Sequence, residues 1–159
     1  MNYNIRKADS KDINEIILLC KEHSEFEKAE YSSGGKAEKL SDLLFSENPQ
    51  IFCLIVENET GILGYATYML EFSTWEASQY IHMDCLYLRP QARNLGIGKQ
   101  IIKLITQDAE KYNCEQIQWQ TPEFNERSIR FYHRIGATSK RKLRMYFDPS
   151  KSPLLESII

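Results

Sequence analysis

Along this chain apolar and polar residues alternate, then recur at helical spacing, then alternate again, and each change of period marks an element. The stretch "YNIRKA", Tyr3 to Ala8, alternates and predicts a first strand. Ser10 stands where it can cap a helix whose stripe is Ile13, Ile16, Ile17 and Cys20 and whose end falls near Ser24. A second helix is predicted over Lys36–Phe45, with Leu40, Leu43 and Leu44 inward and Pro49 blocking continuation. Strand patterns follow at "IFCLIVE" (Ile51–Glu57) and "ILGYATYML" (Ile62–Leu70), a hairpin around the turn "NETG", and at "YIHMDCLYL" (Tyr80–Leu88), stopped by Pro90. Ile101, Ile102, Ile105, Ala109 and Tyr112 give the face of a helix starting near Gly98. "EQIQWQ" (Glu115–Gln120) reads as strand, "NERSIRFYHR" (Asn125–Arg134) as helix capped by Gly136, and "KLRMYF" (Lys142–Phe147) as a closing strand.

The order β-α-α-β-β-β-α-β-α-β predicts an α/β (α+β) domain, a mixed sheet with helices against its faces. At 159 residues the chain suits one domain over 1–159, burying about 70% of its unfolded surface. A net charge of −2 gives no electrostatic case for nucleic acid or an anionic membrane. Cys20, Cys53, Cys85 and Cys114 are widely spaced, three of them inside apolar patterns, and read as buried free thiols of a reducing compartment. With Lys7, Asp9, Lys11, Asp12 and Glu15 near the start there is no secretory apolar region, and no run reaches membrane-spanning length, so a cytoplasmic protein is expected.

In "LRPQARNLGIGKQIIKLI", Leu88 to Ile105, Gly96 and Gly98 stand between a strand and a helix. Glycines allow close backbone approach, and a first helical turn offers unpaired amides at a positive dipole end. Such a junction suits an anion, and Arg93 adds a forked, charged donor; a pyrophosphate is the expected target. The triphosphate loop G-x-x-x-x-G-K-[ST] is absent, and Ile101 stands where a dinucleotide fingerprint needs its third glycine. Taken alone, the glycine pair fits helix entry in a tight turn equally well.

R-x-x-G-x-G after a strand and opening a helix, then a strand, "FN", and a helix with FY-x-R-x-G-A together resemble the GNAT superfamily of acyl-CoA-dependent N-acyltransferases. The resemblance spans Tyr3 to Phe147 and is strongest in "LYLRPQARNLGIGKQII" and "TPEFNERSIRFYHRIGA". Within it, "HSEFEKAEY", "FSTWEA" and "FNERSIRFYHRIGA" are most similar to the diamine (spermidine/spermine) N-acetyltransferase group. The resemblance implies a mostly antiparallel twisted sheet of six to seven strands with about four helices, and acetyl-CoA held between splayed parallel strands. Pantetheine would pair with the backbone of Leu86, Tyr87 and Leu88. The pyrophosphate would meet the amides of Asn94, Leu95, Gly96, Ile97, Gly98 and Lys99 beside Arg93, and Asn125 and Ser128 would help hold the cofactor's arm. No metal is implied; His23, His82 and His133 lack ligand spacing with each other and with the cysteines.

Moving an acetyl group from a thioester to an amine needs a deprotonated amine and a proton for the leaving thiolate, and no covalent protein intermediate. Tyr132 matches the family's tyrosine, and a phenol of pKa ~10 suits the role of general acid. Its alternative is packing with Ile129; Phe131 reads as core. Asp84 falls where the polyamine enzymes carry a glutamate; its shorter side chain calls for a relay water. On strict alternation His82 shares its face and is the alternative base, or a purely structural hydrogen-bonder. Cys85 is read as packing, since direct transfer needs no nucleophile.

On the substrate side Glu27 is carried over from the polyamine group, in an acidic segment with Glu22, Glu25 and Glu30, and Trp75 matches a group tryptophan that packs an alkyl chain, or else anchors a hairpin. The group's acid before that tryptophan is Thr74 here, and "SKRKLR", Ser139 to Arg144, is basic; both disfavour a long polycation and favour a shorter or zwitterionic amine. The expected activity is acetyl-CoA-dependent N-acetylation of a small primary amine by direct attack. Acetylation of a protein or peptide, and a non-catalytic acyl-CoA-binding module, are the alternatives. The group implies a homodimer, and the apolar end of "SKSPLLESII" is expected to pack on its own domain or a symmetry mate.

Overall fold

The computed structural model describes residues 2–32 and 34–151. The chain falls into two compact units divided between Phe124 and Asn125.

The first unit holds β1 (Asn4–Lys7), α1 (Ile13–Phe26), α2 (Lys36–Phe45), β2 (Phe52–Asn58), β3 (Gly61–Ser73), β4 (Ser78–Leu88), α3 (Ile97–Lys111) and β5 (Ile117–Gln118). The five strands form one sheet in sequence order, antiparallel from β1 to β4 and parallel between β4 and β5. Cross-strand partners share a face, so the register sorts the sheet into two sides. Leu54, Val56, Ala66, Tyr68, Ile81 and Met83 lie on one; Cys53, Ile55, Tyr65, Thr67, Cys85 and Tyr87 lie on the other.

Helix α3 covers the first side. Its Ile97, Ile101, Ile105 and Ala109 are buried, three to four residues apart on one stripe, and each buried Ile contributes about 1.5–3 kcal/mol. Tyr68 Oη donates to Asp108, and Phe52 stacks between Tyr68 and Tyr112 with ring centroids 5.4 and 5.8 Å away. Helices α1 and α2 cover the other side, burying Ile16, Leu19 and Leu44 against Cys53, Ile55, Tyr65 and Tyr87. Leu43, expected inward, is exposed: one residue from Leu44, it points 100° around the helix.

The cap of α1 differs from the Ser10 expectation. Asp9 accepts from the Lys11 amide (2.8 Å) and Asp12 Oδ2 returns to the Asp9 amide (2.8 Å), closing a capping box around a 3₁₀ turn, Ser10–Asp12. Asp12 is buried and takes both arms of Arg6, at 2.6 and 2.9 Å; the arginine's hydrogen bonds hold that carboxyl below the usual carboxylate range. Helix α1 runs past Ser24 to Phe26. It then stops as α3 does, with a left-handed residue (Lys28, Asn113) and paired bonds from Lys28 and Ala29 to Glu25 and Ser24, and from Asn113 and Cys114 to Glu110 and Ala109.

Gly64 marks where β3 passes closest to the end of β4: a Cβ there would sit 2.4 Å from the Tyr87 carbonyl oxygen. All four cysteines are free; Cys53 is buried and the others half-buried. Among the described residues no helix is long and apolar enough to cross a membrane, and no group of three or more His, Cys, Asp or Glu side chains forms a candidate metal site.

The second unit contains α4 (Glu126–Arg134), begun by Asn125, whose side chain accepts from the Ser128 amide at 3.3 Å, and ended by Gly136 at φ 95°. Bonds from Gly136 to His133 and from Ala137 to Tyr132 complete the same C-terminal motif. The closing strand expected over 142–147 is not found among the described residues: Lys142 to Phe147 belong to no described strand and are exposed, so the described sheet has five strands rather than six to seven. The expected strand at Glu115–Gln120 is reduced to two residues, Ile117 and Gln118. The tail expected to pack lies, from residue 152, outside the described residues.

Candidate active site

Parallel pairing of β4 with β5 covers only Ile81–Ile117 and His82–Gln118, after which β4 continues to Leu88 with no partner on that side among the described strands. The backbone of Leu86, Tyr87 and Leu88 therefore runs beside a gap between two parallel strands. β4 bulges at the start of that gap. Thr67 opposes Cys85 and Tyr68 opposes Met83, so Asp84 is an extra residue. Strict alternation thus ends after Asp84, and Cys85, one residue on, shares its side. The Cys85 thiol donates to Asp84 Oδ2 at 3.6 Å, and the Asp84 charge acts on Cys20 and His23 of α1. His82, opposite Met69, lies on this α1 side as well. Burial pushes the Cys85 thiol up to about 12, leaving almost no thiolate at neutral pH and agreeing with a packing role.

His23 is the side chain that sequence reasoning missed. Its ring stacks on Tyr87 (centroids 5.3 Å, interplanar 26°), Nε2 lies 3.3 Å from Glu27 Oε1, and Nδ1 lies 3.3 Å from the Tyr65 hydroxyl. Burial lowers its pKa, opposed by the charges of Glu27 and Asp84. The signal was present: His23 on α1 and Glu27, which caps its end, are four residues apart, the spacing that brings side chains together. Nearby, the Tyr31 hydroxyl is buried with no hydrogen-bond partner, and Lys36 Nζ sits 3.9 Å over its ring.

Arg89 was missed too. It ends β4 by donating to Glu22 (2.7 and 3.0 Å), Glu15 (2.7 Å) and the Ile62 carbonyl (2.7 Å), fixing α1 against the strand end. The loop from Arg93 then turns through two left-handed residues, Asn94 (φ 65°) and Gly96 (φ 78°). A Cβ at Gly96 would meet nothing within 4 Å, so backbone conformation rather than crowding selects glycine there, and the loop surface is open. The Gln100 amide makes the first helical bond, to Gly96, which leaves the amides of Ile97, Gly98 and Lys99 without a helical acceptor at the positive end of a 15-residue helix. These donors fit a pyrophosphate. Arg93 donates from Nε to the Leu88 carbonyl (2.8 Å) and lies over the rings of Phe26 (4.8 Å) and Tyr87 (5.6 Å), which brings the loop back onto α1 and β4.

The remaining expected residues fall in both units. Glu27 meets His23; Trp75 is at the tip of the β3–β4 hairpin, 93% exposed. In the second unit, Asn125 and Ser128 join each other at the start of α4, and Tyr132 lies against Phe131 with ring centroids 5.2 Å apart.

Residues 11–137 match the family described as acetyltransferase (GNAT). The thialysine N-epsilon-acetyltransferase of Mus musculus is 30% identical over 141 residues, spanning 84% of this chain and 82% of that protein. The spermidine/spermine N(1)-acetyltransferase-like protein 1 of Homo sapiens is 28% identical over 142 residues, 85% of this chain and 20% of that one. Among solved structures, an integron cassette protein from the mobile metagenome of V. cholerae superposes with a TM-score of 0.74 at 25% identity, covering 99% of this chain and 98% of its own.

Proposed function

Since this chain belongs to the acetyltransferase (GNAT) family, whose members use acetyl-CoA, and is an N-acetyltransferase, we propose that its acceptor is the primary amine of a small molecule: a short diamine or the side-chain amine of an amino acid. The observation that carries this reading is the unpaired stretch of β4 beside the open first turn of α3, with Asp84 at its start. Bound acetyl-CoA supplies a thioester carbonyl open to attack by an amine. The backbone of Leu86, Tyr87 and Leu88 pairs with the pantetheine arm. Arg93 and the amides of Asn94, Leu95, Gly96, Ile97, Gly98 and Lys99 take the pyrophosphate. Asn125 and Ser128 steady the same arm from α4.

Asp84, through a water, takes the proton of the incoming ammonium, with His82 on the same side of β4 as the alternative acceptor. Tyr132 gives its phenolic proton to the departing sulfur. Glu27 attracts the cationic amine and Trp75 packs its alkyl chain. The whole of 1–159 serves as one domain, in a cytoplasmic homodimer. Thr74, in place of an acid, and the basic run at Ser139–Arg144 favour acceptors shorter than polyamines or carrying a carboxylate.

The test is free-thiol release from acetyl-CoA against a panel of diamines, lysine-like amino acids and peptides. Tyr132→Phe should lower turnover by about a hundredfold or more, with the KM for acetyl-CoA within about twofold. Arg93→Ala should instead raise that KM. Turnover confined to peptides, or a Tyr132→Phe enzyme within a few-fold of wild type, overturns the reading.

A further inference from the structure

Glu27 attracts the amine in the reaction above, and a carboxylate on the residue that ends a helix needs something to aim it. Among the described residues that carboxylate has one ion-pair partner, His23 Nε2, 3.3 Å from Oε1. The two residues are tied through the backbone as well, where the Glu27 amide donates to the His23 carbonyl at 2.9 Å. The imidazole is itself fixed by two neighbours. It stacks on Tyr87 with centroids 5.3 Å apart, stands edge-on to Tyr65 at 6.1 Å, and places Nδ1 3.3 Å from the Tyr65 hydroxyl. Tyr65 is 1% exposed, so its hydroxyl needs a partner inside the protein, and it has one by donating to Nδ1. The ring proton then belongs on Nε2, facing Glu27. Exposure rises outward along this line, from 14% for the His23 side chain to 34% for that of Glu27, so the carboxylate meets the ring and stays accessible to a ligand.

We propose that His23 is a positioning residue for Glu27: the neutral ring turns the carboxylate toward the acceptor's ammonium, and the protonated ring takes it as its own counter-ion, so that a proton on His23 and a cation on Glu27 oppose each other. The inference rests on Glu27 being the amine's anchor. Protonating Nδ1 would take from the buried Tyr65 hydroxyl its acceptor, which agrees with the direction in which burial moves the ring, toward a lower pKa. The titratable and charged groups around the ring are Glu27 and Cys20 on α1, Tyr65 on β3, and Asp84, Cys85, Tyr87 and, nearer the strand's start, His82 on β4. Cations stand farther off: Arg93 over the Tyr87 and Phe26 rings, Lys36 of α2 over the Tyr31 ring, and Lys28 over the Phe124 ring. An amine of pKa ~10 stays charged through the range in which an imidazole of ~6.5 titrates, so a change in its KM over that range reports on the protein and not on the ligand. The opposition is reciprocal: whatever His23 protonation takes from amine binding, bound amine takes from His23 protonation.

NMR titration of the three histidines, assigned by single His→Gln variants, tests the pair without reference to turnover. Glu27→Gln removes the charge that favours the imidazolium and should shift His23 titration to lower pH. Kinetics with lysine and ethylenediamine as acceptors test its consequence. In wild type the amine KM should rise as pH falls through the His23 midpoint found by NMR, with the acetyl-CoA KM steady. His23→Leu, which removes the ring N–H, should raise the amine KM about tenfold above that midpoint. His23→Gln, whose amide can stand in for Nε2–H and does not titrate, should recover most of that loss and show no rise toward acid. The positioning role is overturned if Glu27→Gln leaves His23 titration in place. It is overturned too if His23→Gln keeps the wild-type dependence of amine KM on pH while Glu27→Gln raises that KM. A Glu27→Gln enzyme with the wild-type amine KM overturns the Glu27 assignment, and the positioning role with it, and leaves the small-amine reading standing. Should both His23 variants fail to fold, the titration in Glu27→Gln decides alone.

Discussion

The two sides of the sheet do different work with similar materials. On the α3 side Ile97, Ile101, Ile105, Ile81 and Met83 are all buried in an apolar layer, and its polar pairs are Tyr68 with Asp108 and Gln79 with the Tyr112 carbonyl (2.6 Å). On the α1 side an aliphatic patch around Ile16, Leu19 and Ile55 gives way, toward the end of β4, to His23, Tyr65, Cys20, Cys85 and Asp84. The difference teaches that the bulge is what gathers polar side chains on one side of the sheet. By adding one residue to β4 it keeps Asp84 and Cys85 together on the α1 side, where plain alternation would have sent Cys85 to the α3 side.

Substitutions can break that division, the largest effect first. Ile105→Ala on the α3 side should cost about 3 kcal/mol in thermal or denaturant unfolding and leave the pH dependence of stability unchanged. Arg89→Ala, on the α1 side, strands Glu15 and Glu22 and should cost about 2 kcal/mol, together with an altered amine KM because α1 loses its tie to the strand end. The acid response sharpens the contrast. Because the folded pKa of His23 is depressed, the folded protein binds fewer protons than the unfolded chain as pH falls through ~6.5. The stability that neutral His23 contributes is present above that pH and lost below it. Unfolding free energy measured from pH 8 to 5 should fall for wild type and fall less for His23→Gln. Trp75→Ala at the exposed hairpin tip should change stability by less than about 0.5 kcal/mol while raising the amine KM.

Most of this fold is written in local pattern. Runs of apolar, β-branched and aromatic residues over Ile51–Glu57, Ile62–Leu70 and Tyr80–Leu88 located three strands to within a few residues, and the apolar stripe from Ile101 to Ala109 located α3. What escaped depended on partners elsewhere. Lys142 to Phe147 alternates like a strand yet belongs to none of the described strands, because alternation describes a strand's faces and says nothing about whether a partner edge is available. The start of α1 went to Asp9 and Asp12 rather than Ser10, since Arg6 on β1 draws Asp12 inward. The bulge at Asp84 is a property of β4 against β3, and no single-strand pattern contains it. The strand-to-helix turn from Arg93 to Gly98 was legible in the glycine spacing, whereas Asp84 is proposed from the family resemblance. His23 was hidden inside an acidic helix end, where it looked like one more solvated polar residue.

Gly64 carries a further consequence. Its φ is unexceptional, so the requirement for glycine comes from the neighbouring strand: even a methyl group would meet the Tyr87 carbonyl oxygen at 2.4 Å and the Leu88 side chain at 2.7 Å. Any lineage that keeps this strand register has one position, remote in sequence from both motifs, that cannot drift without displacing the strand end proposed to carry the thioester arm.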